Sequence, residues 1–500
     1  MGAFARNRSG PPGLGIAVVC LAQFVVVLDA TIVATALPAI RTALGFSAAD
    51  LQWVITGYAL VFGGFLIAGG RIADLAGPRR VFLLGLGLFV AASIGCALAW
   101  SPTALIGSRL VQGLGSALLS PAALALLTAL TDAGQARRRA IGWWTAAAAT
   151  GGASGWVLGG LLTQYLGWPF VFWVNLPIGL GAMAVAPRLL PAGVRARGAT
   201  LDLVGALTAT TALGLLVYGL AGAGERGLLA VRSWTPIAIA AVLLMALARW
   251  ERRLRDPLVP PAFLRSRPIV AANLTALALT ATTTPAMFLA ILYVQLVLRF
   301  SPARASLLFP IFNLAVIGGS LSAPRVLRRI GARRTLLIGF VGIGAGVTVL
   351  VALSPAIAVM QLLAAFTLMG TGLGIASVAS THTGTEAAEP ARQGVASGLL
   401  NSAAQIGTAF GLAIVTPLAT SGGSPSMDGF RVGFLAAGTI VTLGILVSFL
   451  ALPLGHDGVD SVAAEDGVRD HCGRTGNAGT ITEHGRRDDQ VGRGERLTTT

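Results

Sequence analysis

Two ionisable residues, Asp29 and Arg109, stand deep inside long apolar runs, the first within residues 14–40 and the second within 103–130. A charge at the centre of a bilayer costs about 2.5–3.5 kcal/mol even on a lenient insertion scale, so such residues are kept for function. A carboxylate there can load and release a proton. An arginine at matching depth can neutralise it whenever it is charged. The chemistry on offer is proton movement tied to the movement of a second solute. The alternative is a fixed salt bridge between helices, which is a weak source of stability in a low-dielectric interior.

The elements that must position these two charges are membrane spans. The chain of 500 residues is 55% hydrophobic and only 11% charged, with mean hydropathy +0.78. Soluble domains carry about 25% charged residues, so the fold class expected is an all-α polytopic membrane protein. Fourteen apolar runs are long enough to cross: 14–40, 51–70, 81–100, 103–130, 141–165, 168–187, 202–222, 234–249, 269–298, 304–324, 335–353, 356–380, 394–419 and 431–453. The first run is too long for a signal peptide and lacks a small-residue cleavage pattern, so it is expected to remain as the first span. Asp29 lies fifteen residues from the start of its run, about 22 Å at 1.5 Å per residue. Arg109 lies six residues from the far end of an antiparallel run, about 9 Å down, so the two reach a similar depth.

All 36 basic residues are arginine, as expected of a high-GC bacterium. Their placement fixes an orientation. With the amino terminus in the cytoplasm, 29 fall in inside segments and 6 outside, with Arg109 in the membrane. The positive-inside bias puts both termini in the cytoplasm of a cell-membrane protein and calls for an even number of spans. It also accounts for the net charge of +16 without nucleic acid. Residues 454–500 are polar and without apolar periodicity, and are expected to be a disordered tail. Cys20, Cys96 and Cys472 give no disulfide framework. His456, His471 and His484 fit no ligand spacing, and His382 with Glu386 and Glu389 lacks a second histidine, so no metal site is expected. Without lysine there is no phosphate-binding loop, so ATP-driven transport is unsupported. The remaining energy source is a proton gradient, with no bound cofactor.

The chain repeats itself. Gly70-Arg71-Ile72-Ala73-Asp74-Leu75-Ala76-Gly77-Pro78-Arg79-Arg80 follows the second run. A degenerate copy, Ala323 to Arg334, follows the tenth, keeping a glycine at Gly331 and an arginine pair but no acid. Matching loops in two halves are common in transporters. At this point the sequence resembles the major facilitator superfamily, and within it the fourteen-span drug:proton antiporters. Gly70, Asp74, Gly77 and Arg80 resemble the superfamily's cytoplasmic signature. Leu105 to Gly115, around Arg109, is similar to the fourth-helix antiporter signature. Leu28 to Pro38 resembles the first-helix signature of the fourteen-span branch, and Trp168 to Gly179, with Asn175, its sixth helix. Tyr293-Val294-Gln295 and Gly394 to Gly407 are similar to parts of its second half. The resemblance spans residues 14–453.

That resemblance implies an amino-terminal six-helix bundle over 14–190 after a short terminus 1–13, two additional helices over 202–250, and a carboxy-terminal six-helix bundle over 269–453. It implies that Asp29 and Arg109 couple protons, and that Gly70, Asp74, Gly77 and Arg80 form a conformational latch. The fifth span carries Gly151, Gly155 and Gly159, a small-residue stripe suited to close helix contact. The family usually has proline where this chain has Trp156, so Trp156 is expected either to narrow or line the cavity or to face lipid. Polar residues in spans are Gln23, Gln52, Trp53, Tyr58, Asn175, Asn273, Tyr293, Gln295, Asn313, Asn401 and Gln405. Each alone suits a helix–helix hydrogen bond; together they fit an apolar pocket with few polar anchors. Gln23, Tyr58, Asn175, Tyr293 and Gln295 are the cavity candidates.

The function expected is a proton-coupled exporter of lipophilic drugs, antibiotics or a secreted metabolite, acting as a monomer. Cation and proton would compete for Asp29. With one membrane acid, monocations or neutral compounds are expected and dications are not. The alternative is a proton symporter importing a nutrient. A membrane enzyme would need clustered acids, histidines or metal ligands at an interface.

Overall fold

The computed structural model describes residues 12–47, 50–132, 134–191, 202–226, 230–254, 263, 265–389, 393–420 and 427–451, which form helices and turns without a strand. The expected tail, with His456, His471, His484 and Cys472, and nearly all of the terminus 1–13 lie outside the described residues.

The amino-terminal half contains α1 (Pro12–Leu44), α2 (Trp53–Ala76), α3 (Pro78–Ala97), α4 (Pro102–Leu130), α5 (Gln135–Tyr165), the single turn α6 (Phe170–Trp173) and α7 (Asn175–Leu189). A hairpin of α8 (Leu203–Arg226) and α9 (Val231–Glu251) follows. The other half contains α10 (Arg267–Leu292), the short α11 (Pro302–Ser306), α12 (Pro310–Val351), α13 (Ala358–Glu386), α14 (Gln393–Thr420) and α15 (Met427–Ala451). In lipid every backbone polar group must be satisfied within the segment, so long apolar stretches become helices. Local signals start them. Ser101 accepts from the Ala104 amide at 3.2 Å ahead of Pro102, and Ser301 accepts from the Arg304 amide at 3.3 Å ahead of Pro302. Serine caps followed by proline at the first helical position are favoured helix starts.

Among the described residues, twelve helical stretches are long and apolar enough to cross a membrane, against the fourteen runs expected. The difference arises at two places. α5 is rich in glycine, alanine and threonine and begins with three arginines, so its mean hydropathy falls short. Residues 302–351 count as one stretch although they hold two expected runs. Within that stretch Gly331 breaks the helical geometry at φ 76°, ψ 168°. Gly77, between α2 and α3, has φ 96°, ψ 131°. The repeated loops therefore turn on a glycine in the same left-handed region, which side-chain-bearing residues avoid.

The helices gather into two groups. α1, α2, α3, α4, α5 and α7 pack among themselves, as do α10, α12, α13, α14 and α15. Between the groups, α2 meets α14 along one seam, and α5 meets α11 and α12 along the other. α8 lies over the first seam, touching both α2 and α14, and α9 lies on α8. The hydrophobic cores divide by depth. Towards the arginine-rich end, the amino-terminal bundle has a core of its own, with Val18, Ala22, Phe62, Leu66, Phe82, Leu126 and Ala186. Towards the opposite end, its Leu37, Ile40, Val54, Leu105, Trp156 and Phe172 merge with the core of the second bundle. The bundles are joined at the end away from the arginines.

Candidate proton-coupling site

α1 and α4 bring Asp29 and Arg109 together. The Arg109 Nη1 lies 2.5 Å from Asp29 Oδ2, and both side chains are buried. The second carboxylate oxygen accepts from Gln112 Nε2 and from Asn175 Nδ2, each at 2.9 Å. Arg109 also donates from Nε to the Val54 carbonyl at 2.9 Å and from Nη1 to Gln112 Oε1 at 2.7 Å. Ser93 Oγ accepts from Gln112 at 2.8 Å and from Asn175 at 3.3 Å, and donates to the Phe89 carbonyl at 2.9 Å. The guanidinium lies over the Tyr58 ring, 4.3 Å from its centroid, and the Tyr58 hydroxyl pairs with Ser116 at 2.8 Å. Charge, hydrogen bonds and an aromatic face thus meet in one buried cluster built by α1, α2, α3, α4 and α7. In a low-dielectric site such bonds strengthen one another, and losing one partner of a buried pair costs about 3–5 kcal/mol.

The cluster faces inward within the amino-terminal bundle. On α1, Val25, Val26, Val33 and Leu37 share burial with Asp29, while the next residue, Ala30, is exposed. The expectation that Asp29 lines a cavity open to a cation is therefore not what this conformation presents. Three donors hold the carboxylate, and no part of it reaches the gap between bundles. Gln112 and Ser93, which complete the cluster, were not singled out in the sequence. Gln112 sits three residues after Arg109, on the same helix face, and that spacing was the available signal.

The expected latch residues sit at the arginine-rich end of α2 and α3. Gly77 makes the turn described above, and Gly70 places its α-carbon face near Pro121 of α4. Asp74 and Arg80 are exposed, and the charge acting on Asp74 is Arg71. Among the described residues Asp74 accepts no hydrogen bond from a helix N-terminus. Arg79, beside Arg80, donates at 3.2 Å to both the Pro187 and Leu190 carbonyls at the end of α7, a helix-capping contact the sequence did not disclose.

The α5 glycines do meet α1. A side chain at Gly151 would strike the Phe24 backbone, at Gly155 the Thr31 hydroxyl, and at Gly159 Thr35 and Ile32. Trp156 does not face lipid. It is buried and stacked on Phe309 of the other half, with ring centroids 4.4 Å apart and planes 14° apart, and Phe309 in turn packs on Phe366 at 5.0 Å. Two hydrogen bonds join the halves at the same end: Gln295 Nε2 to the Thr35 carbonyl at 3.0 Å, and the Ala303 amide to Gln164 Oε1 at 3.1 Å.

The cavity candidates therefore scatter. Gln295 bridges the bundles. Gln23 is half-buried, and its Oε1 accepts from Ser120 at 3.5 Å. Tyr58 and Asn175 belong to the Asp29 cluster and do not face the gap. Tyr293 is buried within its own bundle, edge-on to Phe430 at 5.6 Å, at a wide turn in which the Leu298 amide bonds back to the Tyr293 carbonyl at 3.1 Å. An amphipathic side chain in an apolar helix signals a polar need without saying which face it serves.

Two pseudo-repeated helical bundles, with spans of membrane length and a charge pair buried in one bundle, define a polytopic membrane transporter. The Major Facilitator Superfamily model matches residues 19–412 and 274–474, and the chain belongs to that superfamily. It is 38% identical over 429 residues to the cephamycin export protein CmcT of Amycolatopsis lactamdurans, covering 84% of this chain and 88% of that protein. It is 37% identical over 415 residues to the puromycin resistance protein pur8 of Streptomyces alboniger, covering 81% of each. Among solved structures, it resembles the nucleoside transporter NupG (D323A mutant) with a TM-score of 0.64 at 13% identity, over 89% of this chain and all of that one. It also resembles a D-xylose–proton symporter, with a TM-score of 0.61 at 14% identity over 88% of this chain and 97% of that one. At such identities these structures show the shared fold.

Proposed function

We propose that this protein exports an antibiotic-like small molecule across the cell membrane in exchange for protons. The relatives named for export and resistance support the direction. The observation that carries the proton is the Asp29–Arg109 pair, ionisable groups buried deep in the spans among neutral hydrogen-bond partners. Protonation of Asp29 removes the ion pair and weakens the acceptor for Gln112 and Asn175. Arg109 then keeps Val54 and Gln112, so α1 loosens from α4 and α7. Six residues along α1, the Thr35 carbonyl holds Gln295 of the other bundle. A shift of α1 at Asp29 therefore reaches the seal between the bundles, and that is the coupling path. Substrate and proton need not touch the same atom.

The arginine bias assigns the sealed end to the exterior, so this conformation opens to the cytoplasm. Fourteen crossings fit that orientation. α5 has 31 residues, about 46 Å at 1.5 Å per residue, and a 30 Å core needs only about 20. Gly331 divides α12 into two further spans. An even number returns both termini to the cytoplasm. Exposed apolar side chains around the helices suit a lipid boundary, and a single copy suffices for the cluster.

The test is transport in everted membrane vesicles energised by a proton gradient, for wild type and Asp29→Asn. Gradient-driven uptake of an antibiotic that disappears in the variant is the expected result. Uptake that survives moves the coupling site elsewhere. Solute movement along with the proton would instead indicate the symporter.

A further inference from the structure

Polar side chains stand between the bundles, and those described below are uncharged. On α14, Asn401 is exposed and Gln405 and Thr408 are half-buried, at spacings that put all three on one face. Gln405 lies against Gly63 of α2, and the Thr408 hydroxyl reaches Thr284 of α10 at 3.3 Å. On α10, Asn273 and Thr284 share a face with Thr280, which donates to the Ala404 carbonyl at 2.6 Å. From the other wall come half-buried Gln23 on α1, and on α12 Asn313, whose carboxamide lies 3.2 Å from the place of a Cβ on Gly152 of α5. Two of these amides keep unused capacity: Asn313 Nδ2 and Asn273 Oδ1 are buried without a hydrogen-bond partner among the described residues. One is a donor and the other an acceptor. The membrane charges contribute nothing here, because Asp29 and Arg109 neutralise each other inside the amino-terminal bundle.

We infer that the substrate is an uncharged amphiphile bearing several amide or hydroxyl groups, bound between Gln23, Asn273, Asn313, Asn401 and Gln405. The inference deepens the exporter reading and rests on it for the direction of transport alone. A cation entering this gap loses hydration and meets no counter-charge, whereas a neutral molecule exchanges its hydrogen bonds with water for bonds to carboxamides. Unpaired amide donors and acceptors also reject apolar molecules that cannot satisfy them. The class expected from sequence, monocationic or neutral, thereby narrows to neutral.

The test is equilibrium binding to the purified full-length protein in lipid nanodiscs, without any gradient, so that it stands apart from the transport assay. Two radiolabelled probes are compared: chloramphenicol, an uncharged aromatic amide diol, and tetraphenylphosphonium, an apolar monocation. The expected result is binding of chloramphenicol at least about tenfold tighter than tetraphenylphosphonium. Gln405→Leu and Asn401→Leu should each weaken chloramphenicol about fivefold or more. Asn401→Asp, at an exposed position that tolerates a charge, should raise tetraphenylphosphonium affinity about tenfold. Preference of the wild type for tetraphenylphosphonium overturns the inference, as does failure of chloramphenicol to bind at about 1 mM. So does unchanged chloramphenicol affinity in both leucine variants when they elute as monodisperse protein.

Discussion

Trp156 and Phe309 stack face to face across the two bundles, with 4.4 Å between ring centroids. The contact lies at the sealed end, where Gln164 also receives the Ala303 amide. An aromatic pair contributes about 0.5–1.5 kcal/mol beyond its buried area. Trp156→Ala should therefore shift the balance towards the opposite opening by about two- to tenfold. In a background without native cysteines, Gln164→Cys should react faster with a membrane-impermeant maleimide from outside when Trp156 is alanine. Equal rates in the two backgrounds would show that the stack does not hold the seal.

Arg109 cannot be replaced by lysine without loss. Its Nε and Nη1 serve Val54, Asp29 and Gln112 together, and an ammonium lacks that planar fork. Arg109→Lys should transport at least about tenfold more slowly than wild type, and Arg109→Leu should lower stability by about 3–5 kcal/mol, since Asp29 is then buried unpaired. Thermal unfolding of the purified variants distinguishes the two; a melting temperature unchanged in Arg109→Leu would mean the pair is not a structural necessity.

Gly155 has no room for a side chain, because a Cβ there would meet the Thr31 hydroxyl and lie 3.0 Å from the Leu28 carbonyl. Gly155→Val should push α5 off α1 and cost about 1–3 kcal/mol by overpacking. The expected readout is a broadened size-exclusion profile and lower yield. A sharp, wild-type-like peak would refute the close contact.

Arg79 ties the start of α3 to the end of α7 through two carbonyls. Each hydrogen bond from a charged donor contributes about 1.5–3 kcal/mol, less where solvent reaches it. Arg79→Ala should lower the melting temperature measurably, and Arg79→Lys should restore part of it.

Asp74 tests the latch in rates. Asp74→Asn should change the rate of conformational cycling, and hence maximal transport, while leaving substrate affinity in place. An unaltered maximal rate would assign Asp74 to ordinary solvation of the loop.

Much of the frame was legible because a bilayer leaves so few options. Composition gave the class, and arithmetic on helix rise put Asp29 and Arg109 at similar depth; the structure places them 2.5 Å apart. The glycine turns at Gly77 and Gly331 were visible as a repeat. What the sequence hid was direction around each helix. A soluble helix declares its buried face through contrast, but helices apolar on all sides carry little. Tyr58, Asn175 and Tyr293 therefore looked like cavity residues although each packs inside a bundle. Trp156 was hidden for a related reason, since its partner Phe309 lies in the other half of the chain.

α8 has the last word on how the molecule can move. It rests on α2 and α14 together, with Leu60, Val217, Ala409 and Ala413 in one small core and the side chain of Thr210 against Gly64. It behaves like the spine of a book, glued to both covers. Pulling α2 from α14 would tear α8 from one of them, whereas no long helix lies over the seam of α5 with α12 among the described residues. The α5 side, held by the stack of Trp156 on Phe309 with no such spine behind it, is the freer of the two to part.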